Sequence, residues 1–494
     1  MIFLKQLLEK QEKYKKGSIT IFSTLTMILV ASMLVVLLEG CRFQEIKRLS
    51  QLQTDLAAEA VFTNYNTALW EEYHLLGTEL GLVEEILIQS GNGRSAGEKR
   101  GANLLEASVD NVNIKAYTLL TDGEGSTYVK TVSSYMEKYL LYDTAKEIFN
   151  QYEVIKDIVD TSQWDISKID EAVESVKEPY SEGTRYKMGK RLSQQEEESQ
   201  SVQNSLEGIQ QIKNKGILEL VIEDTESLSN ASISASEVVS NRELKQGKNL
   251  QKQPIEWMDI LYLQQYLLNN MSNYYEKKEN RALVYELEYI IGGKDKDVEN
   301  LREVVTQLLA IREMANFLYL TTDIKKMEAA GAMAVTFAGL SANPLLVEVV
   351  KIGILTAWAF AESVLDVRAL LQGKKIPMLK SEESWTLEWE EVGSITDGYA
   401  MAKESQWGLS YVDYLGILLL FHPESQLAYR GMDMQELTIQ RQKANASFKM
   451  DEHIAWMQIE MQYEYSPIFF SFYFLENKIP MNYQIYTSAA YGYY

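Results

Sequence analysis

Residues Gly17 to Leu38 read GSITIFSTLTMILVASMLVVLL, without one charged side chain. A helix needs about 20 such residues to cross the hydrocarbon core of a bilayer. A buried helix of a soluble domain seldom lacks charge on every face over such a length. The run is therefore expected to be a transmembrane helix. Ahead of it Lys5, Lys10, Lys13, Lys15 and Lys16 outweigh Glu9 and Glu12. Positive residues are retained on the cytoplasmic side, so residues 1–16 should be inside and the bulk of the chain outside. Arg42, Lys47 and Arg48, just past the far end, moderate that bias. The expected location is the cell membrane, single-pass, with the lipid bilayer as the first partner.

The run ends in Leu37-Leu38-Glu39-Gly40-Cys41. Leu38, Gly40 and Cys41 fit a lipoprotein box, whereas Glu39 fits poorly and the apolar stretch is long for such a signal. Cys41 reads mainly as a free thiol at the membrane surface, with lipidation as the lesser alternative. Beyond it Phe43, Ile46, Leu49, Leu52, Leu56 and Ala60 recur at spacings of three and four, which predicts an amphipathic stalk helix. Val61, Phe62, Tyr65, Leu69 and Tyr73 extend the pattern towards Gly77. One rod, half in lipid and half packed on a domain, is a pilin-like arrangement.

A chain of 494 residues with 46% hydrophobic residues supports a substantial core. Its net charge of −22 opposes binding to phosphate backbones, so nucleic acid is not an expected partner. One cysteine excludes an intrachain disulfide and multi-cysteine zinc sites, and His74, His422 and His453 are too few and scattered for a convincing metal centre. Seven prolines against 30 tyrosines favour long helices with aromatic packing.

KKGSITIFSTLTMILVASMLVVLLEGCR, followed by AAEAVFTNYNTALWEEYHLLG, resembles a family of uncharacterised membrane-anchored proteins associated with Tad (Flp) pilus genes of Gram-positive, mainly clostridial, bacteria. The anchor is also similar to those of Tad pseudopilins and TadG-like proteins. LLTDGEGSTYVKTVSSYMEKYLLYD (119–143), ALVYELEYIIGGKDKDVENLREVVTQLLAIREMANFLYL (282–320), ILTAWAFAESVLDVRALLQGKKIPMLKSEESWTL (354–387) and GLSYVDYLGILLLF (408–421) belong to the same resemblance. It covers most of the chain outside about 180–250, and implies other pilus or surface-assembly proteins as partners. One departure concerns processing. Type IV prepilins are cut after a glycine, with a glutamate five residues past the cut; counted from Gly17 and Ser18, that place holds Phe22.

Along the chain the expected organisation is a cytoplasmic segment (1–16), transmembrane helix (17–38), stalk helix (39–76) and a first ectodomain part (77–178). A polar helical or partly disordered insertion (179–254), an apolar helical core (255–373) and a C-terminal α+β part (374–494) follow. Gly91, Gly93 and Gly97 mark a turn. Asn113–Leu120 is expected to be a strand closed by the turn Thr121–Gly125, with helices from Ser126 to Lys177. Ala329–Val347 is a rival membrane segment, but residues 325–372 read better as a buried helical hairpin. Within it Lys351, Glu362 and Asp366 fall on one stripe, expected to face solvent. Trp385–Val392, Ile454–Tyr465 and Asn482–Tyr494 read as strands, Tyr411–Phe421 and Met432–Ala446 as helices. The fold class is α+β, predominantly α-helical. A long transmembrane-plus-stalk helix precedes a helical ectodomain with a small antiparallel sheet, built mainly from C-terminal strands.

Catalytic chemistry finds little purchase. The pairs Glu71-Glu72, Glu84-Glu85, Glu382-Glu383 and Glu390-Glu391 and the run Glu196–Glu198 read as solvated faces, since catalysis needs two acids in different environments of one pocket. Thr121–Gly125 lacks the alternating acids and closing glutamate of a calcium loop. No lysine-tipped phosphate loop, GxSxG or HExxH is present. No catalytic, cofactor or metal residue is assigned. The leading expectation is a non-enzymatic surface component or accessory of a Tad-type pilus or related secretion system. The alternative is a membrane-tethered extracellular binding or sensing module unrelated to pili.

Overall fold

The structure, a computed structural model, describes residues 2–92, 105, 107–139, 216–249, 254–338, 344–395, 399–468, 473–474, 477–478 and 482–494. The fold is α+β and mostly helical, with one small antiparallel sheet of four strands. The chain forms two compact units that interleave in sequence. The first comprises Met1–Gly123, Lys245–Lys252 and Asp451–Tyr494; the second comprises Glu124–Leu244 and Gln253–Met450.

In the first unit, helix α1 (Ile2–Thr63) is followed by a short α2 (Thr67–Tyr73), β1 (Thr78–Glu79), α3 (Leu80–Gly91) and β2 (Ser108–Leu119). The rod thus ends at Thr63 and does not reach residue 76. Asn66 starts a new helix, its side chain accepting from the Leu69 N–H at 3.0 Å. That helix closes at His74, whose left-handed φ of 55° lets its N–H reach the Trp70 carbonyl.

Strand β3 (His453–Tyr465) is the centre of the sheet. One edge pairs with β2 from Ser108↔Glu464 to Leu119↔Ile454; the other pairs with β6 (Tyr483–Gly492) and, at its start, with β1. A separate hairpin joins β4 (Tyr473–Phe474) to β5 (Asn477–Lys478). The expected strands 113–120, 454–465 and 482–494 therefore all form, and the first is recruited to the C-terminal pair. The pleat puts Met457, Ile459, Met461, Tyr463 and Tyr465 on one face, where they join Ile46, Ala57, Ala58, Val61 and Phe62 of α1 and Val83 and Leu87 of α3. The turn after β2 is a tight one. Gly123, Glu124 and Gly125 all have left-handed φ, at 64°, 59° and 84°, a run in which glycine removes most of the steric cost. Asp122 caps it, accepting from the Leu119 N–H at 2.6 Å.

The face that α1 buries matches the predicted one at Ile46, Val61 and Phe62 and departs from it between them. Ile46, Ser50, Thr54, Ala57, Ala58, Val61 and Phe62 are buried, whereas Leu52 and Leu56 are 48% and 53% exposed. Small side chains let the helix lie close on the sheet, and the Thr54 hydroxyl is satisfied there. Thr54 donates to the Ser50 carbonyl at 2.9 Å and lies 2.6 Å from the Thr487 hydroxyl.

The second unit contains α4 (Ser126–Tyr139), α5 (Ile217–Val221), α6 (Trp257–Asn270), α7 (Glu286–Gly292), α8 (Asp297–Thr322), α9 (Ile324–Ala338), α10 (Pro344–Leu371), α11 (Tyr411–Leu419) and α12 (Glu424–Gln440). Helix α10 packs against α8 and α9 and is enclosed almost all round from Val350 to Leu371, which accounts for its apolar sequence. Of the expected hairpin 325–372, the second helix is core, while Ile324 and Val335 on α9 are exposed. Helix α12 begins at Glu424, eight residues earlier than expected, with Pro423 at its N-cap.

Trp385–Val392 does not form a strand. Trp389–Ser394 is a 3₁₀ turn opened by Glu388, and the indole N–H groups of Trp358 and Trp385 both donate to the Leu387 carbonyl, at 2.9 and 2.6 Å. An aromatic core cluster has overridden local β propensity. The predicted helix from 140 to 177, residues 179–215 and the glycines 93 and 97 lie outside the described residues.

Truncating Ile459 to alanine should destabilise the first unit by about 2–5 kcal/mol. Leu52→Gln should change stability by no more than about 0.5 kcal/mol, because that side chain is outside the core. Urea unfolding of the full chain in detergent, followed by circular dichroism, measures both.

Candidate functional site

The apolar run of α1 carries large side chains exposed all round, Phe22 and Leu38 among them. None of its most apolar window is buried against the protein, and it is long and apolar enough to cross a membrane. It is a candidate single-pass membrane anchor. Gly17 and Ser18 lie within α1 at one end of the run and Glu39 at the other, about 33 Å apart at 1.5 Å per residue. These residues are strung along one helix and do not converge on a pocket. The Cys41 thiol is free and exposed.

The junction is built by side chains whose pairing spacing alone did not reveal. Glu39 and Arg42 are buried and form an ion pair at 2.8 Å, one turn apart. Arg42 also donates to the Ser466 carbonyl at 3.1 Å, and its guanidinium lies 5.7 Å from the centre of the Tyr465 ring. The end of β3 is thereby fastened to the first helical turn past the apolar run. Glu39, a poor residue for a lipoprotein box, is a good one for this joint.

Charges in the second unit are held inside. Arg312 on α8 is fully buried; its Nε and Nη2 donate to Asp366 Oδ2 on α10 at 3.0 and 2.9 Å. Its Nη1 donates to the Pro377 and Met378 carbonyls and to the Tyr414 hydroxyl. Lys380 Nζ lies 2.7 Å from both Asp366 Oδ1 and Glu362 Oε1. Two cations thus face two carboxylates with no solvent between them. The expectation of a solvent-facing stripe at Lys351, Glu362 and Asp366 is corrected here. Glu362 and Asp366 point into the core because Arg312 and Lys380, distant in sequence, supply the opposite charge.

A second cluster organises the loop between α6 and α7. Glu286 accepts from the Ser272 N–H and hydroxyl, at 2.8 and 3.1 Å. Glu288 accepts from the Tyr274 N–H at 2.8 Å and the Tyr411 hydroxyl at 2.7 Å. Asp297 accepts from the Val284 and Tyr285 N–H groups and the Ser229 hydroxyl. All three carboxyls are fully buried. Burial pushes Glu288 up to about 7, against the lowering effect of the Tyr411 and Tyr274 hydrogen bonds. Glu286 and Asp297 are raised for the same reason.

These carboxylates hold backbone and tyrosine hydrogen bonds in closed interiors. Among the described residues no group of three or more His, Cys, Asp or Glu side chains is placed to hold a metal ion. An open cleft between α1 and β6 is lined by Gln44, Lys47, Arg48, Gln51, Asp55 and Tyr486 among others.

Removing one partner of the core network, as in Asp366→Ala, strands the Arg312 charge and should cost about 3–5 kcal/mol. Glu288 sets a pH dependence. Its folded pKa lies above the unfolded value, so its contribution is fully present below about 4.5 and is lost as pH rises through about 7. The loss is on the order of 3 kcal/mol. Thermal unfolding of Glu288→Gln between about pH 5 and 8 should show a flatter stability curve than the parent chain.

Neither curated proteins nor solved structures match this chain. The profile of a family of unknown function, DUF5702, matches residues 195–465, a stretch that takes in α5 to α12 and β3 and leaves α1 outside. That stretch is more than half of the 494 residues, and the chain belongs to the DUF5702 family.

Proposed function

We propose that this protein is a non-enzymatic, membrane-anchored surface protein, a component or accessory of a Tad/Flp-type pilus or a related secretion system. The observation that carries the reading is α1 itself. One unbroken helix presents an apolar run that the described residues leave exposed and then packs along an antiparallel sheet. That combination suits a subunit held in a bilayer while its folded part meets other subunits. The side of α1 away from the sheet supports the same reading, since Leu52 is exposed two heptads beyond Leu38 and Leu56 lies one turn further. Helices of neighbouring subunits would pack there. The N-terminal lysines orient residues 1–16 towards the cytoplasm and both folded units outside.

Protease shaving of intact cells is expected to cleave residues beyond 50 and leave the N-terminus protected; full protection of residues 50–494 would overturn the orientation. Mass spectrometry of the membrane-extracted chain should find an N-terminus ahead of Gly17 and an unmodified Cys41. Ser18 as first residue would mean prepilin-type processing despite Phe22, and a lipid on Cys41 would mean that the helix is removed. Deleting the gene should abolish or shorten surface filaments. Unchanged piliation would favour the tethered binding module.

A further inference from the structure

Trp407 is 92% exposed, more than any other large hydrophobic side chain among the described residues. It is not on a loose tip. The Gly408 N–H donates to the Ser405 carbonyl at 3.1 Å, closing a turn over Lys375 and Ile376. Ser405 N–H donates to the Lys375 carbonyl, and Leu409 and Ile376 exchange a pair of backbone bonds at 2.9 Å. Gly408 lies so close that a Cβ there would stand 2.6 Å from the Ile376 nitrogen. The strap beneath is fixed in turn, because Arg312 holds the Pro377 and Met378 carbonyls from the buried network. A rigid frame therefore holds one large aromatic side chain out into solvent.

Its surroundings share a character. Tyr275, 55% exposed, lays its ring against Gly373 at the start of the strap. Lys374 and Lys375 follow and form no ion pair among the described residues, and Lys277 stands over the Tyr274 ring at 5.9 Å. Segments 274–281, 373–379 and 403–409 carry six basic and three acidic side chains, in a chain of net charge −22. Aromatic rings with an apolar body and a polar edge, beside lysines whose stems can lie flat, are the side chains that settle at a lipid headgroup layer. A protein partner would need a shaped pocket for a side chain that stands so clear, whereas a fluid interface does not.

We infer that Trp407, Tyr275 and the lysines Lys277, Lys374 and Lys375 form a docking surface for a bilayer carrying anionic phospholipid headgroups. The patch attracts what the rest of this acidic chain repels. The inference stands apart from the pilus reading, which concerns α1 and its neighbours.

The test uses the full chain in nanodiscs containing phosphatidylglycerol and phosphatidylcholine, with bromine near the headgroup on the lipid chains. Subtracting the spectrum of Trp407→Phe isolates the emission of this one tryptophan. Bromine is expected to quench that component in the anionic discs and to leave it unquenched in pure phosphatidylcholine discs. Charge reversal at Lys374→Glu with Lys375→Glu should restore the emission. With the chain held in pure phosphatidylcholine discs, which leave the patch free, vesicles of the anionic composition added in trans should co-float with it, and Trp407→Phe should weaken that binding only mildly while Trp407→Ala weakens it roughly tenfold. Because these side chains are exposed, the variants should keep the parent unfolding midpoint. Absence of both quenching and co-flotation overturns the proposal. Self-association that disappears in Trp407→Ala, without quenching, assigns the patch to a second copy instead.

Discussion

From Ile19 to Leu38 α1 shows apolar side chains to every side, and from Ile46 to Phe62 it buries one face against β3 and β6. The helix cannot relax this difference by bending, since its hydrogen bonds run unbroken through the change. The packing of α1 on the sheet must therefore begin where the apolar run ends. Glu39 and Arg42 accomplish that within one turn, pairing with each other and reaching Tyr465 at the end of β3 and Ser466 just past it. Such a pair would be of little worth in open water; buried here, it holds Arg42 to Glu39 and Ser466 together, and removing either side chain would strand a charge. Sheet, stalk and apolar run become one mechanical piece through that joint.

The second unit meets its constraints differently. Burying Arg312, Asp366, Lys380 and Glu362 together is not an efficient way to stabilise a helical core, since apolar side chains of equal volume would serve as well or better. What the network adds is registry. Arg312 can satisfy Asp366, two strap carbonyls and Tyr414 at once only when α8, α10, α11 and the strap are in one alignment. The carboxyls of Glu286, Glu288 and Asp297 impose the same kind of single solution on the loop after α6.

Much of this was legible in the sequence, for stated reasons. The uncharged run is a length argument and needs no tertiary information, and strands 108–119, 453–465 and 483–492 follow from alternation and β-branched or aromatic content. What failed was anything decided by partners far along the chain. The buried side of α1 uses Ser50 and Thr54, which read as surface residues until Thr487 appears opposite. Glu362 and Asp366 read as an exposed edge because nothing nearby in sequence announces Arg312 or Lys380. Trp385 to Val392 has strand propensity, and lost it to indoles competing for one carbonyl. The anchor's ends were visible, whereas the use of Glu39 as a joint required knowing where residue 466 lies.

The position of β3 in the chain carries a consequence for how the protein is made. Its partners β1 and β2 are synthesised within the first quarter of the chain, but β3 itself begins only at His453. Until then the sheet side of α1 and the inner edge of β2 have nothing to pair with, while more than three hundred residues of the helical unit emerge between them. Pairing over such a separation is slow, and exposed strand edges invite wrong partners in the meantime. A chain halted or clipped shortly before residue 453 would keep all of α1 and carry β1 and β2 without the strand that joins them into a sheet.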